Sequence, residues 1–169
     1  MTGPVGDLFV EYHASLVRML YRRTGDRDRA EEIAQETFAR AVAAPPRNPR
    51  PWLFAVALNL VREEGRTAVR RGRLLELYRE ERPQLAPSPE DDLERSEKTD
   101  RVRAALDSLT ARDKEALLLQ AEGFSYDEIA SALGLARGAI GTTLARARKR
   151  LVQSYREREA EEAKRNAAS

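Results

Sequence analysis

The chain has no cysteine and a single histidine, His13. Without cysteine there are no disulfides, no thiol catalysis and no thiol redox sensing, which suits a reducing cytosolic setting. With one imidazole and no second ligand near it, a histidine metal site or a histidine-based catalytic centre has no basis. Aromatic residues are sparse at 6%. No apolar run approaches the length of a membrane span, and Met1 to Asp7 lacks the charged-then-apolar layout of a signal peptide. Charge of one sign is also lacking: the net is +2 over 169 residues, so any basic surface must come from local segregation. The 41% hydrophobic content supports modest cores, in one domain or two small ones. Together these absences lead us to expect a cytoplasmic protein with no metal, no cofactor and no membrane contact.

What is present is organised around Thr110–Leu151. Thr110 precedes an apolar run with Asp113 three residues on, and Ser125 precedes another with Glu128 three residues on. Each pair has the spacing of a capping box, which satisfies backbone N–H groups left unpaired at a helix start. The helix after Ser125 is short, with Ile129, Ala130 and Leu133 on one face, and stops at Gly134. A further helix runs from about Gly138, with Ile140, Leu144, Ala147 and Leu151 at helical spacing and a basic end of Arg146, Arg148, Lys149 and Arg150. Two short helices joined by a tight glycine turn, the second one basic, read as a helix-turn-helix that places its second helix in a major groove. An ordinary helical hairpin with a solvated basic end is the bland alternative, and the agreement of cap, small residue, turn glycine and basic helix argues against it.

Upstream, Leu8, Tyr12, Leu16, Met19 and Leu20 mark an amphipathic helix ending near Thr24-Gly25, with His13 beside the stripe. Asp28 is expected to cap the next helix, with Glu31 as its box partner. Ala30, Ile33, Ala34, Thr37, Phe38, Ala41 and Val42 form the buried face of that helix. Glu32, Gln35, Glu36 and Arg40 turn to solvent, a face that periodicity alone reads as solvation. Pro45–Pro51, PPRNPRP, is a stiff basic loop. Trp52 to Val61 is almost wholly apolar and free of glycine, so it reads as a buried helix. Continuing at helical spacing, Asn59, Arg62, Arg66, Arg70 and Arg73 form one stripe that could hold phosphates.

After residue 78 the composition turns acidic and proline-rich, ERPQLAPSPEDDLERSE, the mark of a linker. Asp100 to Leu109 then reads as a helix that completes a four-helix C-terminal unit. The tail after Leu151 has mixed charge and no apolar stripe; it either continues as a charged helix or frays, with disorder as the default. The expected fold is all-α: two small helical domains joined by a flexible linker, the C-terminal one a helix-turn-helix. The boundaries are 1–78, linker 79–98, 99–152 and tail 153–169.

The block AEEIAQETF (Ala30–Phe38), then WLFAVALNL (Trp52–Leu60), then the helix-turn-helix resembles, in order and separation, the sigma-70 family of the extracytoplasmic-function type. These are bacterial RNA polymerase initiation factors, and the resemblance covers residues 8–151. It implies that Glu31, Glu32, Gln35 and Glu36 grip the clamp helices of core RNA polymerase, a role that competes with the solvated-face reading. It implies that Asn59, Arg62, Arg66 and Arg70 meet the opened −10 promoter element. The Pro45–Pro51 loop falls where the family holds a flipped-out base, with Arg47, Asn48 and Arg50 as the available polar groups. Trp52 either anchors that loop in the core or stacks on the base, and its place at a helix start favours the core. The C-terminal unit is implied to bind the −35 element and the polymerase flap tip. Family linkers thread the RNA exit path, although a passive tether would explain this one equally well. An anti-sigma factor is a further implied partner.

One departure from the family pattern affects the −35 contact. Where the recognition string resembles G-T-V-K-S-R-L, this chain has Gly138-Ala139-Ile140-Gly141-Thr142-Thr143-Leu144, so a lysine slot is Gly141 and an arginine slot is Thr143. Arg137, Thr142, Arg146, Lys149 and Arg150 remain as the expected −35 contacts. Phosphate contacts and DNA shape should then outweigh base edges, and binding should be weak and steeply salt-dependent.

The expected function is thus a dissociable polymerase subunit, not an enzyme, that recognises and helps melt promoters. A free-standing helix-turn-helix regulator of duplex DNA is the competing class, but it leaves the Ala30–Phe38 and Trp52–Leu60 blocks without a task. A hydrolase or nuclease lacks any clustered nucleophile, histidine or metal-ligand set.

Overall fold

The computed structural model describes the backbone of residues 3–75 and 93–169, with side chains for 3–66 and 97–169. Among the described residues every regular element is a helix: α1 (Pro4–Thr24), α2 (Arg27–Ala43), α3 (Pro49–Leu75), α4 (Leu93–Asp107), α5 (Ala111–Ala121), α6 (Tyr126–Leu133) and α7 (Arg137–Ala167). The all-α expectation holds.

Local chemistry explains most of the boundaries. Proline in the first turn starts α1 at Pro4, ahead of the apolar stripe at Leu8, because the missing N–H lies where no helical acceptor exists. Gly25 ends it in the left-handed conformation at φ 74°, its N–H donating to the Tyr21 carbonyl at 2.7 Å. That tight turn makes Asp26, rather than the expected Asp28, the cap of α2. The Asp26 carboxylate accepts from the Arg29 N–H at 3.2 Å, and Asp28 already lies inside the helix. Helix α2 stops at Ala43, just before Pro45-Pro46. The proline-rich loop is shorter than the sequence suggested, since Pro49 and Pro51 form the first turn of α3. Leu53, Phe54, Ala57 and Leu58 on α3 are sealed in the core, and Trp52 packs half-buried at its edge.

In the C-terminal half, Thr110 caps α5 by accepting from the Asp113 N–H at 3.2 Å. Only the Ser125–Glu128 pair closes a full capping box, because the Asp113 carboxylate is instead bound by Arg146. Helix α4 begins within the stretch expected to be linker, whose residues 79–92 lie outside the described ones. The tail is not disordered: α7 continues to Ala167. Helix α4 packs along it, with Arg101 donating to Glu162 at 2.7 Å. Tertiary docking thus stabilises a helix that charge pairs alone would leave marginal.

Gly134 closes α6 at φ 65°, and no neighbouring group lies within 4 Å of where a Cβ would stand. Gly134→Ala is therefore expected to cost about 1–2 kcal/mol through backbone strain alone. Urea titration checks this against Gly138→Ala, which is equally uncrowded but helical and should be neutral or stabilising by up to about 1 kcal/mol.

The two helical groups, α1–α3 and α4–α7, are packed on each other, α1 against α5 and α3 against α6. One buried cluster runs from Leu16 and Phe54 through Leu119 and Phe124 to Ile129 and Leu144. This contact has no counterpart in the sequence periodicities.

Candidate nucleic-acid interface

Helix α2 buries Ala30, Ile33, Ala34, Thr37, Phe38 and Ala41, although Val42, expected on the same face, is exposed, and Glu31, Glu32, Gln35 and Glu36 lie together on the solvent side. Glu36 pairs with Arg40 at 3.2 Å one turn on; the other three have no partner among the described residues. Glu31 and Glu32 thus give this exposed face two unpaired carboxylates.

The residues assigned to the −10 element divide into groups. Arg47, Asn48, Asn59 and Arg66 are exposed. Asn59 accepts from Arg62 Nη1 at 2.8 Å. The other Arg62 nitrogen donates to Glu115, which belongs to α5. Arg50 is likewise engaged: Nη2 donates to the Glu122 carbonyl at 2.6 Å, Nη1 reaches Glu128 at 3.3 Å, and the guanidinium lies 4.2 Å from the Phe124 ring centre. Arg70 lies where side chains are not described. Next to Arg62 opens a cleft of about 930 Å³ between the two helical groups, its charged lining made of Arg23, Arg29, Arg62, Arg66 and Lys114 together with Asp26 and Asp107.

The helix-turn-helix is α5 to α7, with Gly134 in the turn. Arg137, Thr142, Arg146, Lys149 and Arg150 are all exposed on α7. Arg137 is paired with Asp127 at 2.5 Å. Arg146 forks onto Asp113 at 2.7 and 3.1 Å, and the side chain of Asp113 is almost fully buried. Hydrogen bonding to that carboxylate, and then its charge, hold the guanidinium above its ordinary pKa. Arg146 is thus tied to the frame of the helix-turn-helix by one edge. The two departures in the recognition string differ in kind. Thr143 is buried, so its difference from the family pattern concerns packing rather than a groove-facing contact. Gly141 lies under the Tyr126 ring, whose Cε2 would be 3.7 Å from an added Cβ.

Reading the sequence left Glu115 and Glu122 unassigned and gave Glu128 only a capping role. Glu115 is fully buried, accepting from Arg23 at 3.3 Å and from Arg62. Glu122 accepts both arms of Arg18 at 3.0 and 2.7 Å. A signal for Glu115 did exist. It interrupts the apolar face of DKEALLL, and a charge in that position needs a partner from elsewhere.

An exposed acidic helix, an arginine-lined cleft and a helix-turn-helix on one all-α chain define a nucleic-acid-binding protein assembled from two helical units. Residues 8–71 match the Sigma-70 region 2 family and residues 99–151 match Sigma-70, region 4. The chain is 36% identical over 134 residues to the ECF RNA polymerase sigma factor EcfG of Rhodopseudomonas palustris, covering 76% of this chain and 72% of that one. It is also 36% identical over 159 residues to the ECF RNA polymerase sigma factor SigE of Mycolicibacterium smegmatis, where the match covers 88% of this chain but only 60% of the relative. Among solved structures it is similar to the sigma factor RpoE of Bartonella quintana in complex with the anti-sigma factor NepR. The TM-score is 0.68 at 26% identity, covering 89% of this chain and 97% of that one. The chain belongs to the extracytoplasmic-function group of the sigma-70 family and is an RNA polymerase sigma factor for transcription initiation. No helix among the described residues is long and apolar enough to cross a membrane.

Proposed function

We infer that this sigma factor works in the cytoplasm as a dissociable subunit of core RNA polymerase and performs no chemistry of its own. The exposed Glu31, Glu32, Gln35 and Glu36 ridge grips the polymerase clamp helices, and the C-terminal unit meets the flap tip. Arg47, Asn48, Arg50, Asn59, Arg62, Arg66 and Arg70 hold the opened −10 element, while Arg137, Thr142, Arg146, Lys149 and Arg150 meet the −35 element mainly through phosphates. The observation that carries this reading is the coexistence of an exposed acidic ridge on α2, with Glu31 and Glu32 unpaired among the described residues, and a cleft between the two helical groups into which α3 contributes Arg62 and Arg66. One surface suits a basic protein partner and the other suits a nucleic-acid backbone. An anti-sigma factor is a further partner, supported by the similar sigma factor solved with one.

Run-off transcription with core polymerase and a genomic DNA pool tests the assignment. Wild type is expected to give discrete start sites. Gln35→Ala/Glu36→Ala should reduce them about tenfold or more by weakening core binding, and Asn59→Ala should do so at saturating core by weakening melting. Duplex binding without any core-dependent initiation would overturn the reading in favour of a free-standing regulator.

A further inference from the structure

The cleft beside Arg62 draws its cations from four helices: Arg23 at the end of α1, Arg29 on α2, Arg62 and Arg66 on α3, and Lys114 on α5. They stand at different depths. The Lys114 side chain is 7% exposed and that of Arg23 19%, whereas Arg29 is 35% exposed and Arg66 lies open at the rim. Among the described residues, four carboxylates line the cleft or pair with these cations, and they fall into two kinds. Glu115 is fully buried between Arg23 and Arg62, and Asp26 caps α2, so both are fixed by the fold. Asp107 meets Lys114 at 2.8 Å but is 62% exposed, and Glu64 meets Arg29 at 2.7 Å but is 42% exposed. Arg66 has no partner among the described residues.

That difference decides what the cleft can bind. Ion pairs with solvent access are individually weak, so an incoming ligand with several negative charges can send Asp107 and Glu64 out to water. Five cations then face only the two fixed carboxylates. Guanidinium forks match the oxygens of a phosphate, and the Lys114 ammonium has three N–H groups of which Asp107 takes one. A volume of about 930 Å³ is that of a site for a nucleotide-sized ligand.

We propose that this cleft is a binding site for a compact polyphosphate group, that of a nucleoside triphosphate or of inorganic polyphosphate, with Lys114 at its floor and Arg66 at its rim. The depth of Lys114 favours such a ligand over a nucleic-acid strand. A strand spaces its phosphates along a backbone, whereas a polyphosphate brings adjacent charges to one point. Arg23, Arg29 and Lys114 belong to neither promoter assignment, so the site is separate from both even though Arg62 and Arg66 are shared. Its donors come from both helical groups, and the bound anion stabilises the folded chain by mass action.

Isothermal titration calorimetry of the full chain tests this with sodium tripolyphosphate, GTP and sodium sulfate at matched ionic strength, without magnesium. One-to-one binding of tripolyphosphate or GTP is expected, about tenfold or more tighter than sulfate. Equal affinity for the two probes would assign the site to the phosphate chain alone, and tighter GTP binding would assign it to a nucleotide. Arg66→Gln, at an exposed position, is expected to weaken binding about tenfold. Asp107→Asn probes Lys114 without altering a buried residue, and by removing the competing carboxylate it should tighten binding about threefold. Arg156→Gln, an equal charge change at an exposed α7 position outside the cleft, should change affinity less than about twofold.

Three results would overturn the proposal: sulfate binding as tightly as either polyphosphate probe, Arg156→Gln weakening binding as much as Arg66→Gln, or unchanged affinity in both Arg66→Gln and Asp107→Asn. Arg66-dependent binding of a short DNA single strand, with no saturable binding of tripolyphosphate or GTP, would overturn it in favour of a nucleic-acid groove.

Discussion

Replacing Arg23 and Arg62 together by methionine is expected to lower the unfolding free energy by about 3–5 kcal/mol. Glu115 is fully buried, and these two guanidiniums are its hydrogen-bond partners, 19% and 32% exposed themselves. Methionine fills the space of the arginine stems but supplies no charge, so the carboxylate is left desolvated and uncompensated. The cost should fall towards the lower end of the range, because opening of the junction lets Glu115 rehydrate. Adding Glu115→Leu to the double variant should recover most of the loss, since a buried ion pair exchanged for apolar packing is often neutral. Urea titration of the two variants against wild type measures both steps. A loss below about 1 kcal/mol with no rescue would mean that the buried charge is not held by these arginines.

Phe54→Ala is expected to cost about 3–5 kcal/mol. The ring is 1% exposed, belongs to the apolar half of α3 and meets Phe124 across the contact between the two units. Truncation opens a cavity that the N-terminal core and the interface share, and neither side can collapse into it without disturbing the other. Val42→Ala, on the same half of the molecule but 64% exposed, should stay within about 0.5 kcal/mol. Thermal or urea unfolding distinguishes them, and an effect of Phe54→Ala no larger than that of Val42→Ala would show that the shared core is not cooperative.

Much of the fold is legible along the chain because it depends on local chemistry. The Ser125–Glu128 capping box, the Gly134 stop and the periodic Ile140, Leu144 and Ala147 each concern residues within a turn or two of one another. The exposed ridge Glu31, Glu32, Gln35 and Glu36 follows from the apolar period of α2 by the same logic. Boundaries are less legible where one local device overrides another. Asp26 displaces Asp28 as a cap because Gly25 turns the chain one residue pair earlier. Pro49 and Pro51 begin a helix in a stretch whose proline content suggests a loop. The order of the charged tail is invisible locally because it comes from Arg101 on α4, 61 residues away from Glu162.

The sequence by itself determined the all-α architecture, the family and the two candidate surfaces, since helix periodicity, capping and motif order are short-range properties. Only the tertiary structure decided the state of those surfaces. Arg50 and Glu122 are 72 positions apart, and Arg18 and Glu122 are 104. No local pattern indicates that Arg50 and Arg62 on α3 are already engaged by residues of α5 and α6 and by the Glu122 carbonyl. That pairing exists because packing α1 on α5 and α3 on α6 buries Glu115 and Phe124, and a buried charge must take its partners from whatever surface covers it.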